Sequence, residues 1–251
     1  MRRDHVVGWL DDLLDIARIA DYGPQGLQIE GREDIARVVG LVDAAGEPCV
    51  QAAIDRRADL VLVHHGLLWG APQRLVGAYG RQVRRYLEAD LNLYAAHLAL
   101  DAHPEVGNNA QLAARLGLKV TGWWGDARGT AICCTAEASP PTTLEVLVAD
   151  VTQHLGPPAH IQPHGPREVR RVGICSGGGG GYIAEAAARG CDAFVTGETS
   201  HAHFWDAEGA GINVIWAGHY ASETLGVQAL GQRMARELGV AFEFVDVPTG
   251  M

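Results

Sequence analysis

Lysine is almost missing: Lys119 stands alone, and every other basic residue of the 20 is arginine. Against 30 acidic residues this leaves a formal net charge of -10. Broad affinity for nucleic acid or anionic lipid comes largely from Lys and Arg neutralising phosphates, so an acidic surface argues against both partners. No stretch reaches the ~18 uncharged apolar residues of a membrane span. Two arginines open the chain as in an export signal, but Asp4, Asp11, Asp12 and Asp15 interrupt any apolar region behind them. The expected location is therefore the cytoplasm. Cysteine is scarce too: Cys49, Cys133, Cys134, Cys175 and Cys191 are odd in number and show no CxxC spacing. They read as small buried thiols in a reducing compartment. With 47% hydrophobic and 20% charged residues, disordered and fibrous classes are excluded. A length of 251 residues allows one large domain or two small ones with a sizeable core.

What is abundant is glycine, 32 residues, set among apolar runs that alternate with helix-like segments. Val38–Val42 reads as a short buried strand. Glu47–Arg57 has helical periodicity with Val50, Ala53 and Ile54 on one side, and Ala58–Val63 is a second strand-length run. Strand, helix and strand within so few residues predict a βαβ unit with a parallel pair. The unit recurs. RVVGLVDAAGEPCVQAAIDRRADLVLVHHG, from Arg37, aligns without a gap on RRVGICSGGGGGYIAEAAARGCDAFVTGET, from Arg170, at an offset of 133. A second block at an offset of 122 sets His97 on His219 and Asp101 on Glu223. Two copies are too few for a solenoid, so the expected fold is α/β: two similar α/β lobes from an internal duplication. Residues 1–120 would form the first lobe, completed by 219–251, and 121–218 the second. The stretch from Thr121 to Glu168 is expected to add a strand and a helix to the second lobe, with PPAHIQPHGP (157–166) as loop.

The chemistry gathers where the repeated strands end. His64 and His65 follow the run Leu60–Val63 at the carboxyl end of a strand, the edge where open α/β sheets bind ligands. His97 and Asp101 stand four residues apart after Leu91–Ala96; His219 and Glu223 stand four apart after Val214–Ala217. That spacing puts both side chains on one face of a helical turn. Four histidines and two carboxylates without thiolate suit zinc, manganese or iron in an open site rather than a closed structural zinc. Two carboxylates can bridge, so the expectation is a dinuclear centre between the lobes.

YGPQGLQIEG, ADLVLVHHGLLWG, AAHLALDAHPEVGNNAQLAARLGL, VTGETSHAHF and WAGHYASETLGVQAL together resemble the Nif-three-like family of dinuclear-metal hexameric proteins. Members of that family are often labelled GTP cyclohydrolase 1 type 2 homologues. The resemblance runs from Tyr22 to about Pro248. It implies His64, His65, Asp101, His219 and Glu223 as ligands of two divalent metal ions (zinc, iron or manganese), with His97 beside them in an outer or catalytic role. It also implies a Nif-three-like fold of two α/β lobes and a homo-hexameric ring. One departure is the opening DYGPQGLQ, where the family usually has a segment resembling DNVGLQ.

Two functions compete. The first is a metal-dependent hydrolase in which a divalent pair activates water against a small-molecule substrate. The family label would make that substrate a purine nucleotide, though no guanine pocket is recognisable and phosphoester or amide-like substrates fit equally. The second is a non-enzymatic metal-binding, metal-handling or regulatory ring protein. Several features stay open at this stage. Ser176 with Gly177–Gly181 is either a flexible turn or an anion nest. Glu198, His201 and His203 are either acid/base and substrate groups or structural ones. Trp69, Trp123, Trp124 and Trp205 read as core or subunit-contact residues.

Overall fold

Runs of β-branched and aliphatic residues, too short for helices and bounded by glycine and charged turns, become buried strands in the computed structural model. It describes residues 1–198 and 200–251; Thr199, the last position of the second repeat copy, lies outside them. The chain begins with helix α1 (Arg3–Leu14), strands β1 (Gly26–Ile29) and β2 (Arg37–Asp43), and helix α2 (Glu47–Asp55). Strand β3 (Leu60–His65), helix α3 (Gly77–Glu88), strand β4 (Asn92–Ala95) and the single turn α4 (Leu98–Asp101) follow. Then come α5 (Asn108–Arg115), β5 (Lys119–Ala127), β6 (Thr130–Thr143), α6 (Leu144–Leu155), β7 (His160–Pro163) and β8 (Glu168–Cys175). The chain ends with α7 (Ile183–Ala188), β9 (Ala193–Thr196), α8 (Phe204–Ala210), β10 (Asn213–Trp216), α9 (His219–Leu238) and β11 (Ala241–Phe244).

These elements form two units. The first comprises residues 1–106 and 226–247, the second 107–225 and 248–251. Helix α5, expected with the first lobe, belongs to the second unit because Leu112, Ala113 and Leu116 bury against strand residues such as Cys134, Val172 and Ile174. The first turn of α9 also belongs to the second unit.

The first unit's sheet has the order β1-β4-β3-β2-β11, parallel except for β1, which runs antiparallel to β4. Helices cover both faces, so its strands are apolar on both sides, as parallel sheets require. Val38, Leu60 and Leu62 pack with Leu10 of α1 and Leu230 of α9. Val39, Val61 and Val63 pack on the opposite face with Val50 of α2 and Tyr86 of α3. The second sheet has the order β5-β6-β8-β9-β10-β7. There β8, β9 and β10 are parallel, while β7 and β6 run antiparallel to their neighbours.

The duplication is visible in this topology. The series β7-β10-β9-β8 repeats β1-β4-β3-β2 in order and direction. Buried asparagines make matching hydrogen bonds. Asn92 donates to the carbonyls of Arg32 and Asp59, both at 2.9 Å, and accepts from Gly31 N–H. Asn213 donates to the carbonyls of Pro166 at 2.8 Å and Asp192 at 3.0 Å, and accepts from Gly165 N–H. Asp59 accepts from the N–H groups of Ala36 and Arg37, and Asp192 from those of Arg170 and Arg171. Relative to the gapless sequence alignment, the backbone partners slip by one residue.

Two sequence expectations need correction. Residues 157–166 are not all loop: His160–Pro163 is β7, the counterpart of β1, paired with β10. Proline is tolerated because β7 is an edge strand and Pro163 is its last residue, where no N–H need enter a ladder. The stretch before β8 carries β5, β6 and β7 rather than one added strand, and β5 and β6 pair as a long antiparallel hairpin.

Candidate metal centre

In the first unit the imidazoles converge at the carboxyl ends of β3 and β4. His64 is fully buried and donates from Nδ1 to the Ala96 carbonyl at 2.9 Å. His65 is half-buried, and its Nδ1 lies 2.8 Å from Asp43 Oδ1, on the residue that faces it across the β2–β3 ladder. The two rings converge rather than diverge, with centroids 4.6 Å apart. His97 caps α4, and its Nδ1 lies 2.8 Å from Asp21 Oδ1. One ligand atom from each of His64, His65 and His97 falls within 4.8 Å of the others. Asp101 closes α4, one turn after His97, with Oδ2 3.7 Å from His64 Nε2.

The opening motif braces this cluster. Gln28 Oε1 accepts from the N–H groups of Leu67 and Leu68, just past the histidine pair. Gln25 Oε1 accepts from Ala99 N–H and Asp21 Oδ2 from Leu98 N–H, satisfying donors that the start of α4 would leave unpaired. Burial pushes the Asp21 carboxyl upward, but the hydrogen bond and charge of His97 outweigh it, and its pKa is lowered.

In the second unit, His219 opens α9 and Glu223 follows one turn later, with Nε2 and Oε2 3.2 Å apart. His219 Nδ1 lies 2.8 Å from Glu198 Oε2. The hydrogen bond to Glu223 raises the His219 pKa; burial opposes it, yet with the charges of Glu223 and Glu198 added the value reaches about 9. Gly177 lies against this pair at φ +60, and a Cβ there would strike the Glu223 carboxylate and come within 3.2 Å of His219 Nε2. Its N–H donates to Ser222 Oγ at 3.0 Å, and its carbonyl accepts from Glu198 N–H at 2.8 Å. The glycine run thus begins as the wall of a carboxylate–imidazole pair and continues into a short 3-10 turn, Gly179–Tyr182.

All four imidazoles therefore have Nδ1 engaged, while the Nε2 atoms of His64 and His219 lie 3.7 Å from Asp101 and 3.2 Å from Glu223, the arrangement by which outer partners fix a metal-binding histidine. Sequence reasoning identified the imidazoles and their following carboxylates but missed Asp21 and Asp43, and left Glu198 undecided. Asp21 lies inside the quoted opening motif; Asp43 had no signal beyond ending a strand. His201 is exposed, and His203 pairs with Asp206 one helical turn on, at 3.0 Å. Of the tryptophans, Trp124 is core, Trp205 is 65% exposed and Trp69 stands edge-on to His97. The five cysteines are free and buried. No helix among the described residues is long and apolar enough to cross a membrane.

The family profile described as Duf34/NIF3 (NGG1p interacting factor 3) matches residues 1–249. The chain belongs to the DUF34/NIF3 family. A Deinococcus radiodurans relative named GTP cyclohydrolase 1 type 2 homolog is 43% identical over 249 residues, covering 99% of this chain and 94% of the relative. Among solved structures, the protein ybgI superposes with a TM-score of 0.93 at 36% identity, with full coverage of both chains. TTHA1606 from Thermus thermophilus gives 0.90 at 38% identity, again over both full chains. The DUF34/NIF3 fold therefore extends over the whole chain, and several of its His and Glu side chains cluster closely enough that they could hold a metal ion.

Proposed function

We propose that this protein is a metal-dependent hydrolase whose His64, His65, Asp101, His219 and Glu223 hold two divalent cations. The observation that carries this reading is the common treatment of the imidazoles: each is anchored through Nδ1, three of them by carboxylates, and His64 and His219 turn Nε2 toward the carboxylates of Asp101 and Glu223. Nitrogen and oxygen donors without thiolate fit zinc, manganese or iron. Bound there, the cations would acidify water and stabilise negative charge on the attacked centre. His97, oriented by ionised Asp21, is the candidate to accept and return a proton through Nε2. The name carried by the D. radiodurans relative directs the substrate search to GTP and other nucleotides first.

The test is turnover. GTP, other nucleotides and phosphoesters are assayed with the protein reconstituted with zinc, manganese or iron(II), beside a Glu223→Ala variant whose fold is verified. Turnover that the variant loses supports the hydrolase. Stoichiometric metal exchange without turnover of any substrate overturns it in favour of a metal-handling protein. Buried free thiols support a cytoplasmic setting. The family resemblance supports a homo-hexameric ring, which native mass spectrometry checks.

A further inference from the structure

Beside the first unit's histidines lies a recess of about 200 Å³, lined by Pro24, Leu68, Trp69, Pro72, Gln73 and Tyr79. This is less than the roughly 300–1,000 Å³ of sites that enclose a whole drug-sized ligand, so it has room for one ring system and not for a nucleotide entire. Its lining carries no charged side chain, and Gln73 is the one side-chain amide in it. Phosphate would find no cation here; a planar apolar group would find an indole, a phenol and two proline rings.

Trp69 joins this recess to the histidines. Its ring stands at 88° to His97 with centroids 5.0 Å apart, and 6.0 Å from His65. The indole is fixed before any ligand arrives, because Nε1 donates to the Gly66 carbonyl at 2.9 Å. The walls are fixed as well. Gly70 N–H donates to the Tyr22 carbonyl at 2.8 Å, while Gln28 holds the backbone of Leu67 and Leu68. At Gly23 a side chain would collide with the Leu68 carbonyl, so glycine there lets the Tyr22–Pro24 segment close against the recess.

We propose that the Trp69 recess is the subsite for a planar aromatic ring of the substrate, whose reacting bond then lies at the histidines. The proposal rests on the metal reading above. Since the recess offers stacking surfaces and a single amide, it selects planarity more than a particular hydrogen-bonding pattern. An amphipathic molecule with a flat apolar end and a polar reacting end is the matching substrate class.

Two small chelators test this on the metal-loaded protein by calorimetry: acetohydroxamate, with no ring, and benzohydroxamate, with a phenyl ring. Stacking on an aromatic side chain makes benzohydroxamate bind at least about tenfold more tightly to the native chain. Trp69→Ala should abolish that preference while metal content and acetohydroxamate affinity stay unchanged. Ala71→Trp, which fills the recess from its exposed rim and keeps the Trp69 indole, should abolish it too. Equal affinity of the two probes for the native chain, or a preference that survives both substitutions, overturns the subsite. Failure of acetohydroxamate to bind a chain shown to contain metal means the metal has no open position, which overturns the hydrolase reading and the recess proposal with it.

Discussion

The partner of one imidazole nitrogen fixes the tautomer and direction of the other, and here the holders are Asp43 for His65, Asp21 for His97, Glu198 for His219 and a backbone carbonyl for His64. Their loss should be felt at the metal without touching a ligand. Asp43→Asn and Glu198→Gln are each expected to weaken metal affinity by about 10–100-fold, measured by competition with a chromogenic chelator; unchanged affinity in both would show that these carboxylates do not position the rings. His219 adds a pH dependence. Its folded pKa of about 9 lies above the ordinary imidazole value, so the metal-free chain gains stability from this group that is complete below pH ~6.5 and lost as pH rises through 9. A cation at His219 must displace that proton. Calorimetry at pH 7.5 in buffers of different ionisation enthalpy should therefore count about one proton released on metal loading from this group, and fewer in Glu223→Gln, where the raising partner is weakened.

At the scale of elements, each sheet is braced within its own unit, at an equivalent corner, by a buried asparagine and an aspartate beside it. Asn92 and Asn213 each serve three backbone groups from segments far apart in sequence. Alanine at either position removes the partner of the glycine N–H and of the Arg32 or Pro166 carbonyl, while the Asp59 and Asp192 carbonyls still accept from the backbone N–H of positions 92 and 213. Each lost bond costs about 1–1.5 kcal/mol. Asn92→Ala and Asn213→Ala are each expected to cost roughly 2–3 kcal/mol in urea unfolding. A loss confined to one of them would show that the repeated bracket has kept its function in one copy alone. The same comparison explains β7: alone, His160–Pro163 has the composition of a loop, and the free edge of β10 makes it a strand.

For the whole molecule, metal bound only by the folded chain stabilises it by mass action. Neutral imidazole is the binding form, so protons compete as pH falls. A rise in melting temperature on adding metal at pH 7.5 should shrink towards pH 5, and Glu223→Gln should reduce it at every pH by removing negative charge facing the cations. A shift constant across that range, or indifferent to Glu223→Gln, would contradict histidine–carboxylate ligation.

Much of this was legible in one dimension. Short β-branched runs marked Val38–Val42 and Ala58–Val63 as a parallel pair, which the structure draws as Arg37–Asp43 and Leu60–His65, and the four-residue spacing of His97–Asp101 and His219–Glu223 survived as turns of α4 and α9. Such features depend on local periodicity, which a helix or strand preserves. What the linear pattern could not supply were partners met only after the sheets assemble. Asp21 reaches His97 across 76 residues, and Asp43 and Glu198 reach their imidazoles across 22 and 21. The Asp43–His65 pairing, the one-residue slips between repeat copies and the strand at 160–163 are set by ladder register, and the Asp21 and Glu198 pairings by loops that meet helix starts. Register is decided by which backbone groups meet across a sheet, and no neighbouring residue encodes that.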